Sequence, residues 1–367
     1  MHSIFINGRF LTQATTGVQR YAVELTQALD GLLRSGEISP VAYRVVLLVP
    51  RGVRHDLPLE HIRVEPVGRS SGHVWEQVEL RRFTQVGGAV LLNPSNTAPI
   101  AAPNVVVTIH DAGVFATPQA YSLAFRTWYR LMHRTLSRHA RRIITVSEFS
   151  RQQLQAYAGA LASRIEVIPG GAEHIVRLKA DTGILQRHGL GDRPFVLAVS
   201  SLNPNKNFKL IVEAMAHLPD LLGSLDFVVA GGTNPRVFGN QTLSFGPGIK
   251  YLGYVTDGEL KALYQGATAF VFPSLYEGFG LPPLEAMSCG CPVVVARAAS
   301  LPWVCGEAAL YCDPHDSQDL AQQIRMVASD PKIQADLRQK GFARARDFSW
   351  PQCARRTFRV LEKVLAA

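Results

Sequence analysis

Short apolar runs punctuate the chain at 45–49, 90–92, 105–109, 142–146 and 165–168, and resume after a break at 195–199, 227–230, 251–252, 269–272, 292–296 and 309–312. Runs of this length with almost no polar alternation read as strands buried on both faces, as in parallel sheets. Longer stretches of helical period separate them. The chain therefore reads as two successive series of βαβ units, each building a doubly wound sheet. The break lies in 169–191, where Pro169-Gly170-Gly171 and Gly189-Leu190-Gly191 gather turn residues. The expected domains are 1–172 and 173–349, with an amphipathic helix at 350–367 (Phe358, Val360, Leu361, Val364) crossing back to the first.

Length and composition agree with two cores: 367 residues exceed what one core organises, and 47% are hydrophobic. The net charge of +9 is uneven. Residues 1–170 carry 18 arginines and no lysine against 11 acidic groups, a surplus of 7, whereas 171–367 carry 20 cations against 18. Rigid guanidinium forks suit phosphate better than mobile ammonium groups do, so the first half is the place to expect polyanion contact. The five cysteines (Cys289, Cys291, Cys305, Cys312, Cys353) lack CxxC or zinc spacing and read as buried thiols. The start MHSIFINGRF has no signal-peptide core, and no apolar run approaches the ~20 residues of a membrane span. The expectation is a soluble, cytoplasmic protein touching a membrane surface.

The densest chemistry lies at 270–295. A buried strand ends near Pro273, a glycine-bearing loop follows, and Pro282 or Pro283 fits a first helical turn, where a missing N–H costs nothing. Amides of Gly278, Phe279, Gly280 and Leu281, helped by the helix dipole, would form an anion site at the carboxyl end of a strand. Glu277 stands before this loop. Glu285 stands one turn into the helix, within reach of a ribose.

The string E-G-F-G-L-P-P-L-E-A-M-S-C-G-C-P-V-V (277–294) resembles the E-x7-E segment of the retaining glycosyltransferase family 4. The resemblance implies the α/β GT-B fold, two Rossmann-like domains whose parallel sheets face a central cleft. It implies that Glu277 lies by the donor sugar, Glu285 holds the ribose, and the amides of 278–281 meet the diphosphate of a nucleotide-sugar donor. V-S-S-L-N-P-N-K-N-F (199–208) is similar to the family stretch whose Arg and Lys neutralise the leaving group. Lys206 matches the Lys, Asn205 stands in the place of the Arg, and Ser201 joins them as a donor contact. T-T-G-V-Q-R-Y (15–21) resembles the first glycine loop, with Gly17 the candidate phosphate contact, ahead of a helical pattern at 21–32. V-V-V-T-I-H-D (105–111) places His110 where the family has a His by the reacting face of the sugar, with Asp111 free to assist an acceptor hydroxyl. Glu277, His110 and Lys206 are the catalytic set so implied.

A helix over about 121–142 carries Arg126, Arg130, Arg134 and Arg138 at i,i+4 spacing. Stacked like charges repel, so this stripe is expected either to face an anionic surface, such as a membrane bearing a polyprenyl-diphosphate-linked acceptor at ~1 kcal/mol per cation, or to be a solvated face with internal salt bridges. No cofactor is expected, and the resemblance implies metal independence, in keeping with the lack of a DxD-type carboxylate pair at a strand end. The strings look most like mannosyl- and rhamnosyltransferases of bacterial polysaccharide assembly, which makes GDP-mannose the first donor and a glycan or lipid-linked glycan the acceptor. The rivals are a UDP-sugar 2-epimerase-like enzyme and a non-catalytic nucleotide-sugar-binding protein. A nicotinamide-dependent enzyme is disfavoured for want of G-x-G-x-x-G after a strand, and nucleic-acid binding for want of any reader motif.

Overall fold

The computed structural model describes residues 1–53, 56–83, 85, 88–191, 193–199, 203–221, 223–231 and 248–367. It divides into two compact units: Met1–Ala116, Arg126–Gly170 and Trp350–Ala367 form the first, and Thr117–Phe125 with Gly171–Ser349 form the second.

The first unit holds β1 (His2–Asn7), β2 (Tyr43–Pro50), β3 (Arg63–Val67), β4 (Val90–Asn93), β5 (Val105–Thr108), β6 (Arg142–Thr145) and β7 (Ile165–Val167). They pair in the order β3-β2-β1-β4-β5-β6-β7, every pair parallel. The central strands are buried on both faces, which is why their sequences are continuous apolar runs. Each fully buried Val, Ile or Leu there contributes roughly 1.5–3 kcal/mol. The sequence reading missed β3: it is an edge strand, R-V-E-P-V, with only Val67 buried and carrying Pro66, which an edge tolerates because one side of its ladder is unpaired.

The second unit holds β8 (Phe195–Val199), β9 (Asp226–Ala230), β10 (Ile249–Gly253), β11 (Ala269–Phe272), β12 (Val293–Ala296) and β13 (Ala309–Cys312), again all parallel, in the order β10-β9-β8-β11-β12-β13. In each sheet the strand order reverses once, at β1/β4 and at β8/β11. Loops leaving the carboxyl ends of the two strands flanking such a reversal diverge and leave a crevice, where ligands bind in open α/β sheets.

The helix Gly17–Arg34 starts four residues before the expected 21–32 pattern, and the arginine-bearing helix runs Leu123–His139 rather than 121–142, because Arg142 opens β6. The terminal helix Trp350–Leu365 packs within the first unit. Trp350 lies edge-on to Tyr21 with centroids 5.6 Å apart, and a Cβ on Gly170 would come within 2.8 Å of its indole. All five cysteines are free thiols; burial pushes Cys289, Cys305 and Cys312 up to about 12, far from reactive thiolates.

Candidate functional site

At the β8/β11 reversal two loops meet. After β8 the chain enters a 3-10 turn, Pro204–Lys206, capped by the Asn203 side chain, which accepts from the Asn205 N–H (2.9 Å). Asn207 adopts a left-handed conformation (φ 54°), and its amide donates to the carbonyls of Pro273 (3.1 Å) and Pro314 (2.8 Å). The Leu275 N–H donates to the Asn205 carbonyl at 2.8 Å. The two loops are therefore stitched along their main chains, which fixes the side chains they present.

The Lys206 ammonium donates to Glu277 Oε1 at 2.7 Å and sits 4.7 Å from the centre of the Phe272 ring. Both groups are partly shielded, so the pair is screened less than a surface ion pair. The sequence placed these two residues in one site, and the fold brings them into contact. Asn205 behaves differently: it is buried, and its amide donates to Thr117 Oγ1 at 2.9 Å. Ser201 lies outside the described residues.

Beyond Glu277 the loop turns at Gly280 (φ 112°), where a Cβ would stand 2.9 Å from Leu301 Cδ2, so glycine is needed for both conformation and space. The Ser300 hydroxyl holds the loop by donating to the Phe279 carbonyl (2.6 Å), with the Glu277 carbonyl at 2.9 Å. The helix Leu281–Ser288 follows, with Pro282 and Pro283 in its first turn. Among the described residues, no acceptor pairs with the N–H groups of Phe279, Gly280 and Leu281. Gly280 is buried. A sheltered main-chain donor without an acceptor is costly, and donors grouped at a helix start are the kind of arrangement that can take an anion.

Glu285, in the same helix, is buried and oriented by two groups the sequence did not reveal: His174 Nε2 lies 2.9 Å from Oε1, and the Tyr264 hydroxyl donates to Oε2 at 3.3 Å. Burial and the Glu285 charge push the Tyr264 phenol well above its ordinary range, so it remains a donor.

In the first unit, His110 follows β5 at the sheet's carboxyl edge. Its Nε2 lies 3.0 Å from the Pro94 carbonyl, which can only accept, so Nε2 carries the proton and Nδ1 is left as an acceptor. Burial pushes this imidazole down to about 4, so it is neutral at pH 7. The His110 main-chain N–H donates to Asn96 Oδ1 (2.8 Å), and the ring meets Tyr21 edge-on at 4.7 Å. Asp111 turns back to accept from the Gly113 N–H (2.7 Å). Gly17 is exposed at the first position of its helix, with nothing within 4 Å of where a Cβ would stand.

The arginines of Leu123–His139 do not form one free stripe. Arg130 donates to the Val114 carbonyl (2.7 Å), and Arg130 and Arg134 lie 5.6 and 5.1 Å from the centre of the Phe115 ring. Arg134 and Arg138 are exposed, and Arg126 is half-buried.

The β1/β4 reversal holds a buried network with no local sequence signature. Glu76 Oε1 accepts from Asn7 Nδ2 (2.8 Å), Arg9 Nε (3.2 Å) and Thr97 Oγ1 (2.8 Å), while Oε2 lies 3.3 Å from His73 Nδ1. Asn7 also donates to Asn93 Oδ1 (2.9 Å), tying the end of β1 to that of β4.

Residues 183–344 match the family described as Glycosyl transferases group 1, and residues 15–174 match Glycosyltransferase Family 4. The chain is 34% identical over 275 residues to the O-antigen chain mannosyltransferase B of Escherichia coli, covering 72% of this chain and 71% of that protein. It is 32% identical over 223 residues to the serotype-specific mannosyltransferase WbdA of Escherichia coli, 59% of this chain but only 26% of that one. In structure it resembles sucrose-phosphate synthase from Thermosynechococcus elongatus, with a TM-score of 0.74, 19% identity, and coverage of 100% and 99% of the two chains. With its two parallel α/β sheets and the Glu277–Lys206 loops at a strand-order reversal, this chain belongs to glycosyltransferase family 4, is built on the GT-B fold, and is a glycosyltransferase.

Proposed function

We propose that the chain transfers mannose from GDP-mannose, with retention of configuration, to a glycan or polyprenyl-diphosphate-linked glycan in cell-surface polysaccharide synthesis. One observation carries the reading: the loops at the β8/β11 reversal carry the Lys206 ammonium and three amides, of Phe279, Gly280 and Leu281, that have no acceptor among the described residues. The amides take the diphosphate, and Lys206 exchanges Glu277 for a phosphate oxygen as charge grows on the leaving group. Glu277, released, accepts from a sugar hydroxyl. Such preorganised donors are typically worth roughly 3 kcal/mol of barrier each. Glu285, aimed by His174 and Tyr264, takes the ribose, and in the first unit neutral His110, with Nδ1 left as an acceptor, takes the part that the family resemblance gives it.

In this reading Lys206 and the amides supply the countercharge that a divalent cation supplies elsewhere, so activity persists in EDTA. The donor assignment rests on the mannosyltransferase relatives. The enzyme works in the cytoplasm, against the inner face of the inner membrane through Arg126, Arg134 and Arg138. A thermal-shift panel of GDP-mannose, GDP, UDP-glucose and dTDP-rhamnose tests the donor: a rise in Tm for the guanosine ligands alone is expected, and indifference to them removes the mannose assignment. Product analysis without acceptor separates transfer from 2-epimerisation, and a donor left intact with every acceptor would mark a binding protein.

A further inference from the structure

An open cavity of about 390 Å³ in the first unit is lined by Arg51, Gly68, Arg69, Glu79, Arg82 and Phe83. Sheet register delivers two of its arginines. Pro50, the last residue of β2, pairs with Val67, the last of β3, so Arg51 and Gly68-Arg69 leave the carboxyl edge side by side. Arg82 and Phe83 come from the short helical turn Arg81–Phe83. Gly68 is left-handed (φ 75°), and a Cβ there would run into the Glu79 carboxylate and approach the Trp75 indole at 3.0 Å; glycine is what allows this loop to lie so close to the Trp75–Leu80 segment.

The one carboxylate in the lining is already committed. Glu79 accepts from the main-chain N–H of Arg69 (2.9 and 3.0 Å) and of Ser70 (3.1 Å), and these bonds, the Arg69 one foremost, hold it below the usual carboxylate range against its burial, with a smaller pull from the Arg82 charge. It pins the loop. The guanidinium groups of Arg51, Arg69 and Arg82, by contrast, have no salt bridge or hydrogen bond among the described residues. Three permanent cations thus line one recess against a single carboxylate, Glu79, whose oxygens are taken up by the loop amides and on which the Arg82 charge also acts. Guanidinium forks match the oxygens of a phosphate and hold it bidentately.

We propose that this cavity is a phosphate-ester site, separate from the site of Lys206 and the loop amides. Assigning its ligand to the acceptor, whose phosphate would be gripped here, rests on the glycosyltransferase reading; the anion site itself does not.

Inorganic pyrophosphate binding to the full chain, followed by titration calorimetry, tests this. The wild type is compared with R51Q/R69Q/R82Q, the charge-keeping R51K/R69K/R82K, Lys206→Gln, and Arg63→Gln, an exposed arginine outside the cavity. The triple Gln variant is expected to lose one class of site by at least about tenfold in affinity. Lys206→Gln should keep that class and lose the other, the Lys triple should fall between wild type and the Gln triple because it keeps the charge and loses the fork, and Arg63→Gln should stay within a few-fold of wild type. Pyrophosphate bound undiminished by the triple Gln variant overturns the proposal and leaves the donor reading intact. The opposite pattern, a Lys206→Gln variant that binds as wild type, removes the donor reading and leaves this one. If the triple variant fails to fold, Arg51→Gln and Arg82→Gln singly read the same loss. Titrations with a short prenyl diphosphate and with mannose 1-phosphate then distinguish a lipid-linked source from a free one.

Discussion

Lys206 Nζ and Glu277 Oε1 lie 2.7 Å apart across two loops that leave neighbouring strands of one sheet. Each is the other's partner before substrate arrives. An ammonium so held is positioned without being spent, because a diphosphate carrying more charge than one carboxylate displaces it. Lys206→Ala should therefore lower kcat by roughly 10²–10³, the loss seen when one oxyanion-stabilising donor is removed. Steady-state kinetics with a fixed acceptor measures it; a change confined to KM would mean that Lys206 binds the ground state only.

Gly280→Ala should cost stability and anion binding together. The new methyl meets Leu301 Cδ2 at 2.9 Å in a left-handed backbone, so a loss of about 1–3 kcal/mol is expected. Urea denaturation gives the stability. Nucleotide binding should weaken in parallel, since the amides of Phe279 and Leu281 turn with the loop.

Removing the charge from Arg9 should be more damaging than removing both charges at the β1/β4 reversal. Arg9→Met leaves Glu76, fully buried, short of its cation, at a cost of roughly 3–5 kcal/mol, whereas Arg9→Met with Glu76→Leu should recover part of it. Burial pushes the Glu76 carboxyl up, but the His73 bond, the Arg9 charge and the bonds from Thr97 and Asn7 prevail and hold it below the usual range. Its contribution is therefore present above the unfolded carboxyl value of about 4.3 and lost as pH falls through the lower folded value. A double-mutant cycle measured at pH 7 checks the coupling.

Burial pushes the His133 imidazole down to about 4, against the opposing Asn96 main chain, which lies outside hydrogen-bond geometry; neither ring nitrogen has a partner. His110 is also held at about 4. Both are neutral when folded, while the unfolded chain takes up a proton near 6.5, so stability should be full above 6.5 and fall as pH drops from 6.5 towards 4. Each contributes a slope of up to about 1.4 kcal/mol per pH unit. His133→Leu should flatten one share of that slope and leave stability at pH 7 unchanged or higher by about 1 kcal/mol, because a buried polar group without a partner is replaced by an apolar one. Urea unfolding at pH 7, 6 and 5 reads both effects.

Replacing Arg126, Arg134 and Arg138 by Gln should weaken binding to anionic liposomes, at about 1 kcal/mol per cation. Arg130→Gln should do little in flotation, since that guanidinium is already held by the Val114 carbonyl and the Phe115 face. Flotation unchanged by the triple substitution would remove the membrane contact from the functional reading.

Local patterns carried much of the fold. β2, β5 and β12 are legible because burial on both faces demands unbroken Val, Ile and Leu runs. β3 was hidden by its edge position, where exposure and Pro66 erase the pattern. Glu277, Gly280 and Lys206 were readable because short strings build their loops. The groups that orient Glu285 were not: His174 stands 111 residues away and Tyr264 21, joined to it only by the fold. Glu76 and Asn7, 69 residues apart, are likewise invisible to any window of local sequence.

The seat that Trp350 fills beside Tyr21 and Gly170 belongs to a unit whose sheet is complete by residue 167. During synthesis, roughly 180 residues of a second sheet must emerge before that seat is taken, ~10–40 s at ordinary translation speeds. Throughout that interval the place beside Tyr21 and Gly170 is without its indole, so the unit that opens the sequence is completed only after the second sheet has been made.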